Sequence, residues 1–223
     1  EWESVGAEGW NYQNCLPYFK KLETHRCRTS EYTGTDGPVA ISGGNNMANP
    51  LYRAFIDAGV EAGYTETEDY NGYRQEGFGQ KFMNVDAGVR ASTSHAYLKS
   101  ARKRANLTVF KRALVTGITF DGKTATGIKC QMKGREKTFV AKREVILCAG
   151  AIGSPQLLQV SGVGSKAVLN KAGIEMVHEL PGVGENLQDH LEFNFQYNCK
   201  QPISLNGSLG LFSKALIGLR WLL

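Results

Sequence analysis

Several common signatures are missing from this sequence of 223 residues. Its five cysteines are odd in number and never spaced as CxxC, which argues against a disulfide framework and against a zinc site. The one membrane-like run, residues 209–223, is short for a membrane span and contains Lys214 and Arg220. No GxGxxG loop is present, because Gly182-Val183-Gly184 is followed by Leu187 where that motif has its third glycine. The sequence therefore predicts no metal centre, no spanning helix and no pyrophosphate loop within these residues.

Charge is nearly balanced along the chain. The sequence has 26 basic and 21 acidic residues, a formal net charge of +5. Basic residues concentrate at 99–104 and 133–143, but aromatic residues do not alternate with them as they do on nucleic-acid platforms. These clusters predict a solvated helix face and a hairpin, and no nucleic-acid partner. The scattered cysteines suit a reducing, cytoplasmic compartment, while the apolar end of the chain leaves peripheral membrane contact open.

Both ends of the sequence read like internal positions of a longer protein. The chain begins at Glu1 without methionine and ends within the apolar run Trp221-Leu222-Leu223. With 42% hydrophobic residues it has enough apolar side chains for one large core or two small ones. We expect it to be part of a longer polypeptide.

The stretch from Arg143 to Gly164 is the most informative. Residues 144–148 form a short apolar run that predicts a buried strand, with Cys148 as a small buried side chain. The small residues Ala149-Gly150-Ala151 then predict a tight turn, and Ser154 and Pro155 predict a helix start. Ligands gather at the carboxyl ends of strands in α/β proteins, so this turn marks a candidate cofactor edge. From these residues alone, an ordinary strand-turn-helix unit in a buried sheet is the favoured explanation of the pattern.

The remaining pattern predicts a mixed α/β (α+β) fold. Apolar spacing predicts helices within residues 1–23, 49–63, 90–104 and 166–172. The predicted strands are 39–41, 80–85, 107–110, 113–120, 125–132, 138–140 and 174–178. Turn dipeptides at 121–122 and 133–134 predict that the strands between 113 and 140 form antiparallel hairpins.

Two long motifs resemble those of a known family. The segment from Gly150 to Leu158, GAIGSPQLL, continues as Ser161-Gly162-Val163-Gly164, and together they resemble the second signature of the glucose–methanol–choline (GMC) flavin oxidoreductases. The segment from Leu180 to His190, LPGVGENLQDH, resembles that family's next motif at the expected distance. The similarity runs through nearly the whole chain and is greatest to the choline-oxidising branch.

The resemblance implies a partial FAD-binding domain of GMC type. Residues 96–190 would belong to that domain, with the antiparallel hairpins as its insertion. Residues 1–95 would form part of the substrate domain and its lid, and residues 191–223 would start the substrate-domain sheet and helix. FAD is the implied cofactor.

Particular residues match the family's site positions. Val115 matches the family's adenine contact, which is made through the backbone, and Ala149 and Gly150 lie at the cofactor edge. His190 and Glu192 match the substrate side, where a glutamate faces the trimethylammonium group of choline. Leu191 stands where choline-oxidising relatives have proline. The family's catalytic histidine is expected beyond Leu223, so no catalytic residue is assigned within the chain.

The implied reaction is oxidation of choline to betaine aldehyde by hydride transfer to the flavin. The electron acceptor is left open between oxygen and a quinone. Two alternatives remain at this point: a GMC oxidoreductase for another primary alcohol, and a non-catalytic module that cannot bind FAD alone. From the residues alone, Val115 is an ordinary core strand position and Glu192 an ordinary solvent-facing strand residue.

Overall fold

A computed structural model describes residues 1–44 and 47–222 and divides into two compact units. The first unit is Glu1–Thr108 with Gln196–Leu223, and the second is Val109–Phe195. Asn45 and Asn46, within the predicted loop 24–50, and Leu223, at the end of the apolar run, lie outside the described residues. Both units combine helices with strands, as the predicted mixed α/β class requires. The division into substrate and FAD parts stays a prediction.

The helices and strands are numbered in chain order. The helices are α1 (Tyr12–Leu22), α2 (Pro50–Glu61), α3 (Lys99–Ala101), α4 (Gly150–Val160), α5 (Lys166–Lys171) and α6 (Leu211–Leu222). A π-helical turn, Ser94–Leu98, precedes α3, and 3-10 turns occupy Glu3–Val5 and Leu205–Ser208. The strands are β1 (Glu23–His25), β2 (Val39–Ile41), β3 (Val85–Asp86), β4 (Val89–Arg90), β5 (Ala113–Asp121), β6 (Thr124–Met132), β7 (Arg135–Val140), β8 (Val163–Gly164) and β9 (His178–Glu179).

Asparagine caps start two of the long helices of the first unit, α1 and α2. The Asn11 side chain accepts a hydrogen bond from the Asn14 amide at 2.9 Å and so satisfies a free donor of α1. Asn49 accepts one from the Leu51 amide at 2.9 Å, with Pro50 as the first residue of α2. Both helices lie where the apolar spacing predicts them.

Strand β2 has the predicted bounds 39–41, but two other predicted elements of the first unit differ from the structure. The predicted strand 80–85 is wrong over residues 80–84, where Met83 forms an isolated bridge with Ser42, and of the predicted residues Val85 alone lies in a strand, β3. The predicted helix 90–104 is also too long. Its first residue, Arg90, pairs with Val85 in the hairpin β3–β4, and regular structure ends at Ala101. No helix in the described part is both long and apolar enough to cross a membrane.

The second unit contains the predicted antiparallel sheet, in the order β5-β6-β7. Two-residue turns connect its strands, and Lys133 and Gly134 both have positive φ, as a type I′ turn requires. The predicted strand 107–110 is wrong. It has no partner in the described chain, and the positive φ of Arg112 breaks the extended run before β5.

Residues 144–148 are not a paired strand in this structure. No neighbouring strand pairs with them among the described residues, although a buried parallel strand needs neighbours on both sides. Ile146 is consequently 73% exposed. The prediction that Cys148 is buried is wrong for the same reason, because its side chain is exposed.

Helix α4 begins earlier than the cap signals predict. Gly150 is its first residue, so Ser154 is not the N-cap and Pro155 lies inside the helix. Ser154 acts locally instead, since its hydroxyl accepts a hydrogen bond from the Ala149 amide at 3.0 Å. The Ser154 hydroxyl therefore stabilises the turn at Ala149 from a position inside helix α4.

The second unit also has a small parallel ladder, β8 with β9. Leu169 of α5 is 0% exposed and is part of the buried core of the second unit. The segment 185–199 that follows contains no helix or strand. The prediction that Glu192 lies on a strand is therefore wrong, because no chain segment pairs with residues 185–199 in the described structure.

Candidate cofactor site

A cavity of about 510 Å³ lies between β5 and α4, within the second unit. Val115 and Ala149, two of the residues assigned to the cofactor from the sequence, both line it. The others that line it are Leu114, Thr116, Gly153, Gln156, Leu157 and Val160. The strand and the turn that the family resemblance assigns to FAD thus share one cavity.

The turn before α4 has an unusual backbone. Ala149 has φ −86° and ψ 5°, in the sparsely populated bridge region where active-site residues are often found. Gly150 has φ +85°, which favours glycine, while a Cβ there would meet no atom within 4 Å. Gly150 does not line the cavity itself. Its contribution is the sharp bend that places Ala149 at the cavity wall.

A register shift in β5 lies beside the same cavity. Val115 pairs with Cys130 and Gly117 pairs with Lys129, so Thr116 is an extra residue in the ladder. Strand β5 is an edge strand, because β6 is its only neighbour in the sheet among the described residues. An edge strand with a bulge leaves backbone donors and acceptors free for another group.

Ser161 connects α4 to β5. Its hydroxyl accepts a hydrogen bond from the Ile118 amide at 2.8 Å and donates one to the Leu157 carbonyl at 2.6 Å. The hydroxyl therefore satisfies an edge donor of the strand and a carbonyl of the last helical turn. This double contact sets the spacing between the two walls of the cavity.

Gln159 connects α4 to the second sequence motif. Its side-chain amide donates a hydrogen bond to the Val183 carbonyl at 3.0 Å. A Cβ at Gly184, which has φ +87°, would lie 2.7 Å from the same amide nitrogen. Gly184 of the GVGE segment thus lets the loop approach the helix closely, whereas a Cβ at Gly182 would meet no atom within 4 Å.

The cavity suits a flat, uncharged ring. No titratable side chain lines it, while its walls combine apolar groups with the backbone edge of β5. Ala149 and Gly153 have small side chains or none, so they leave space along one wall of the cavity. A Cβ added at Gly153 would lie 3.1 Å from the Cβ of Ala149. These residues fit the adenine ring of FAD. They supply no charge for its pyrophosphate.

The two residues assigned to the substrate lie apart from this cavity. His190 and Glu192 are exposed in the irregular segment 185–199, and neither lines the cavity that contains Val115. The backbone amide of His190 donates a hydrogen bond to the Asp189 carboxylate at 2.8 Å. The structure therefore places Val115 and Ala149 at one cavity and leaves His190 and Glu192 outside it.

Sequence reasoning missed several contributors to the site. Thr116 gave no signal, because a bulge depends on the register with a partner strand. Ser161 could have been found, since a serine near a helix end commonly bonds the carbonyl four residues earlier. No cluster of three or more histidine, cysteine or acidic side chains suited to a metal occurs in residues 1–44 and 47–222.

Comparison with protein families gives one extensive match. A family model described as GMC oxidoreductase matches residues 1–192. Among curated proteins, the oxygen-dependent choline dehydrogenases of Photobacterium profundum and Vibrio vulnificus are each 58% identical to this chain over 224 residues. The alignments span the whole of this chain but 39% and 40% of those two proteins.

Solved structures agree with the family match. An FAD-dependent oxidoreductase from Chaetomium thermophilum has a TM-score of 0.78 at 30% identity, covering 84% of this chain and 35% of its own. Pyridoxine 4-oxidase from Mesorbium loti has a TM-score of 0.71 at 30% identity, covering 77% and 34%. These likenesses confirm the predicted fold class, a mixed α/β part of a GMC-type structure, and support FAD as the cofactor.

Proposed function

This chain belongs to the GMC oxidoreductase family, and from that membership we propose that it carries part of the FAD site and part of the substrate site of a choline-oxidising enzyme. The observation that supports the proposal most is the cavity lined by both Val115 and Ala149. The choline-dehydrogenase names of the 58% identical relatives support the substrate.

On the cofactor side, we assign the adenine ring to this cavity. The edge backbone of β5 at Val115 would read the polar rim of the ring, and Leu157 and Val160 would contact its faces. FAD, when bound, supplies the acceptor for the hydride that leaves the alcohol carbon. The residues of this chain bind and orient, and none of its four histidines lines the cavity.

On the substrate side, we assign Glu192 to the quaternary ammonium group of choline. Such a group has no N–H to donate, so a carboxylate and aromatic faces must attract it. Glu192 makes no ion pair among the described residues, which leaves its negative charge available. His190, two residues earlier, is assigned to the same side of the site.

Filling the cavity tests the cofactor assignment. In the full-length protein that carries these residues, Ala149→Leu should weaken FAD binding by about tenfold or more, because the added side chain occupies the space of the ring. Bound flavin per protein after gel filtration and FAD titration of the apoprotein measure this. Ala151→Leu, the same change at an exposed residue that does not line the cavity, is the control. Equal loss in both variants would contradict the assignment.

Removing one charge tests the substrate assignment. Glu192→Gln should raise the KM for choline by about tenfold, because the carboxylate attraction to the cation is lost. The KM for the neutral alcohol in which carbon replaces the choline nitrogen should stay nearly constant. Glu179→Gln, at an exposed strand position, is the matched control. An unchanged KM for choline would exclude the quaternary-ammonium role.

A second candidate substrate is another primary alcohol. The likeness to pyridoxine 4-oxidase favours this alternative within the same family. The two candidates differ in charge at the end remote from the hydroxyl group. If Glu192→Gln affects choline and its neutral isostere equally, while flavin binding is intact, the alternative is the better assignment.

A further inference from the structure

A second cavity, of about 530 Å³, lies within the first unit and collects basic side chains. Arg90, His95, Lys99 and Arg102 line it, together with the hydroxyl residues Ser92 and Ser94. None of these residues lines the cofactor cavity or belongs to the substrate assignment. We call this group of six residues the basic cavity.

Two local backbone features assemble the basic cavity. The tight turn of the β3–β4 hairpin, with positive φ at Ala87 and Gly88, brings Arg90 back toward the following helical segment. The π-helical turn then has its amide-to-carbonyl bond from Lys99 to Ser94, five residues apart. This wider turn aligns Ser94 with Lys99, which ordinary helical spacing would separate. Turns of this kind occur frequently at functional sites.

The charges in the basic cavity are not balanced by the protein. No carboxylate lines it. The nearest acidic residue in the hairpin, Asp86, is engaged by Arg26 at 2.7 Å. Within residues 1–44 and 47–222, Arg90, Lys99 and Arg102 have no ion pair. Like charges that share a cavity repel one another, and an anion placed among them removes this repulsion.

We propose that the basic cavity binds a phosphate group. Arginine presents a planar fork of N–H donors that matches phosphate oxygens, and lysine adds a point charge. Ser92 and Ser94 add hydroxyl donors, and the imidazole of His95 adds another nitrogen. A doubly charged anion matches three permanent cations better than a carboxylate does. The cavity is large enough for a phosphate with part of an organic group attached.

Titration with inorganic phosphate tests the proposal on the full-length FAD-loaded protein. Calorimetry should give saturable binding at low ionic strength, competed by sulfate. The variant Lys99→Gln with Arg102→Gln should weaken that binding by about tenfold or more. The control, Lys103→Gln with Arg104→Gln, removes the same charge from neighbouring residues that do not line the cavity, and should change binding less than about twofold. If the double variant does not fold, Lys99→Gln compared with Lys103→Gln gives the same contrast.

Two sources of phosphate are distinguished by a second arm. Sedimentation with phosphatidylglycerol vesicles that depends on Lys99 and Arg102 assigns the cavity to a lipid headgroup. Binding of free phosphate without such sedimentation assigns it to a soluble phosphate ester. Equal effects of the two double variants on both ligands would overturn the proposal, because only diffuse charge attraction would then be acting. The absence of saturable binding of either ligand would overturn it as well.

Discussion

Gly162 is required at its position for two separate reasons. Its φ of +87° lies in the left-handed region, and a Cβ there would approach the Glu175 carbonyl oxygen to 2.5 Å. Its own carbonyl also accepts hydrogen bonds from the amides of Val177 at 2.8 Å and His178 at 3.1 Å. The close approach thus joins the end of α4 to the strand that follows α5.

A comparison of two glycines separates these reasons. Gly162→Ala should destabilise the second unit by about 2 kcal/mol or more, because it adds backbone strain and a steric clash. Gly173→Ala should cost only about 1 kcal/mol, since Gly173 has φ +67° but open space around its Cβ position. Urea unfolding followed by circular dichroism measures both. Equal losses would show that the contact with Glu175 has no energetic weight.

At the scale of the element, α2 is tied to the loop that follows it by charge. Arg53 donates hydrogen bonds to both oxygens of Glu66, at 2.7 and 2.9 Å, and also contacts Asp57. These hydrogen bonds lower the pKa of the Glu66 carboxyl below its usual value of 4.5. The pair is partly exposed, so its effect on stability is small and depends on salt.

The lowered pKa predicts a specific pH dependence. A carboxylate whose pKa falls on folding stabilises the folded state above its unfolded pKa, and that contribution disappears as the pH falls through the folded pKa. Glu66→Gln should therefore lower the urea midpoint at neutral pH but not at strongly acidic pH. Glu8→Gln, at an exposed carboxylate without an ion pair in the described chain, should show no such convergence. A midpoint difference that is constant with pH would contradict the prediction.

An element could be predicted when the residues that determine it lie within its own segment of the sequence. The hairpins β5 to β7 were predicted correctly because their turn residues and alternating patterns lie within the segment itself. The exposure of Cys148 was not predicted, because burial of residues 144–148 requires neighbouring strands, and none pairs with them among the described residues. For the candidate cofactor site, the sequence singled out Val115 and Ala149, which line one cavity in the structure, and their contact with FAD stays a prediction. The bulge at Thr116 arises only from pairing and had no local signal.

For the molecule as a whole, the proportion of exposed apolar surface is large. Phe195, Leu211 and Phe212 are 80%, 90% and 85% exposed, and Leu191 is 82% exposed. Apolar surfaces of this extent usually face another part of a protein or a partner. The chain spans about two fifths of the length of its curated choline dehydrogenase relatives, so such coverage is expected from the remaining polypeptide.

The 223-residue chain alone is expected to bind FAD weakly or not at all. It contains the cavity proposed for the adenine ring, but its sequence has no GxGxxG loop to hold the pyrophosphate. Equilibrium dialysis with FAD, checked by gel filtration for self-association, measures this against the full-length protein. Tight, stoichiometric yellow flavin on the short chain would show that the missing loop is not essential.

The two-residue turns of the β5-β6-β7 sheet have a consequence for the order in which the second unit folds. Every pairing in this sheet joins neighbours in sequence, so it can form while the ribosome is still producing the residues after Val140. The bend at Ala149 and helix α4 then emerge onto a surface that already exists. We expect the β5 wall of the proposed adenine cavity to form first, and the α4 wall to pack against it afterwards.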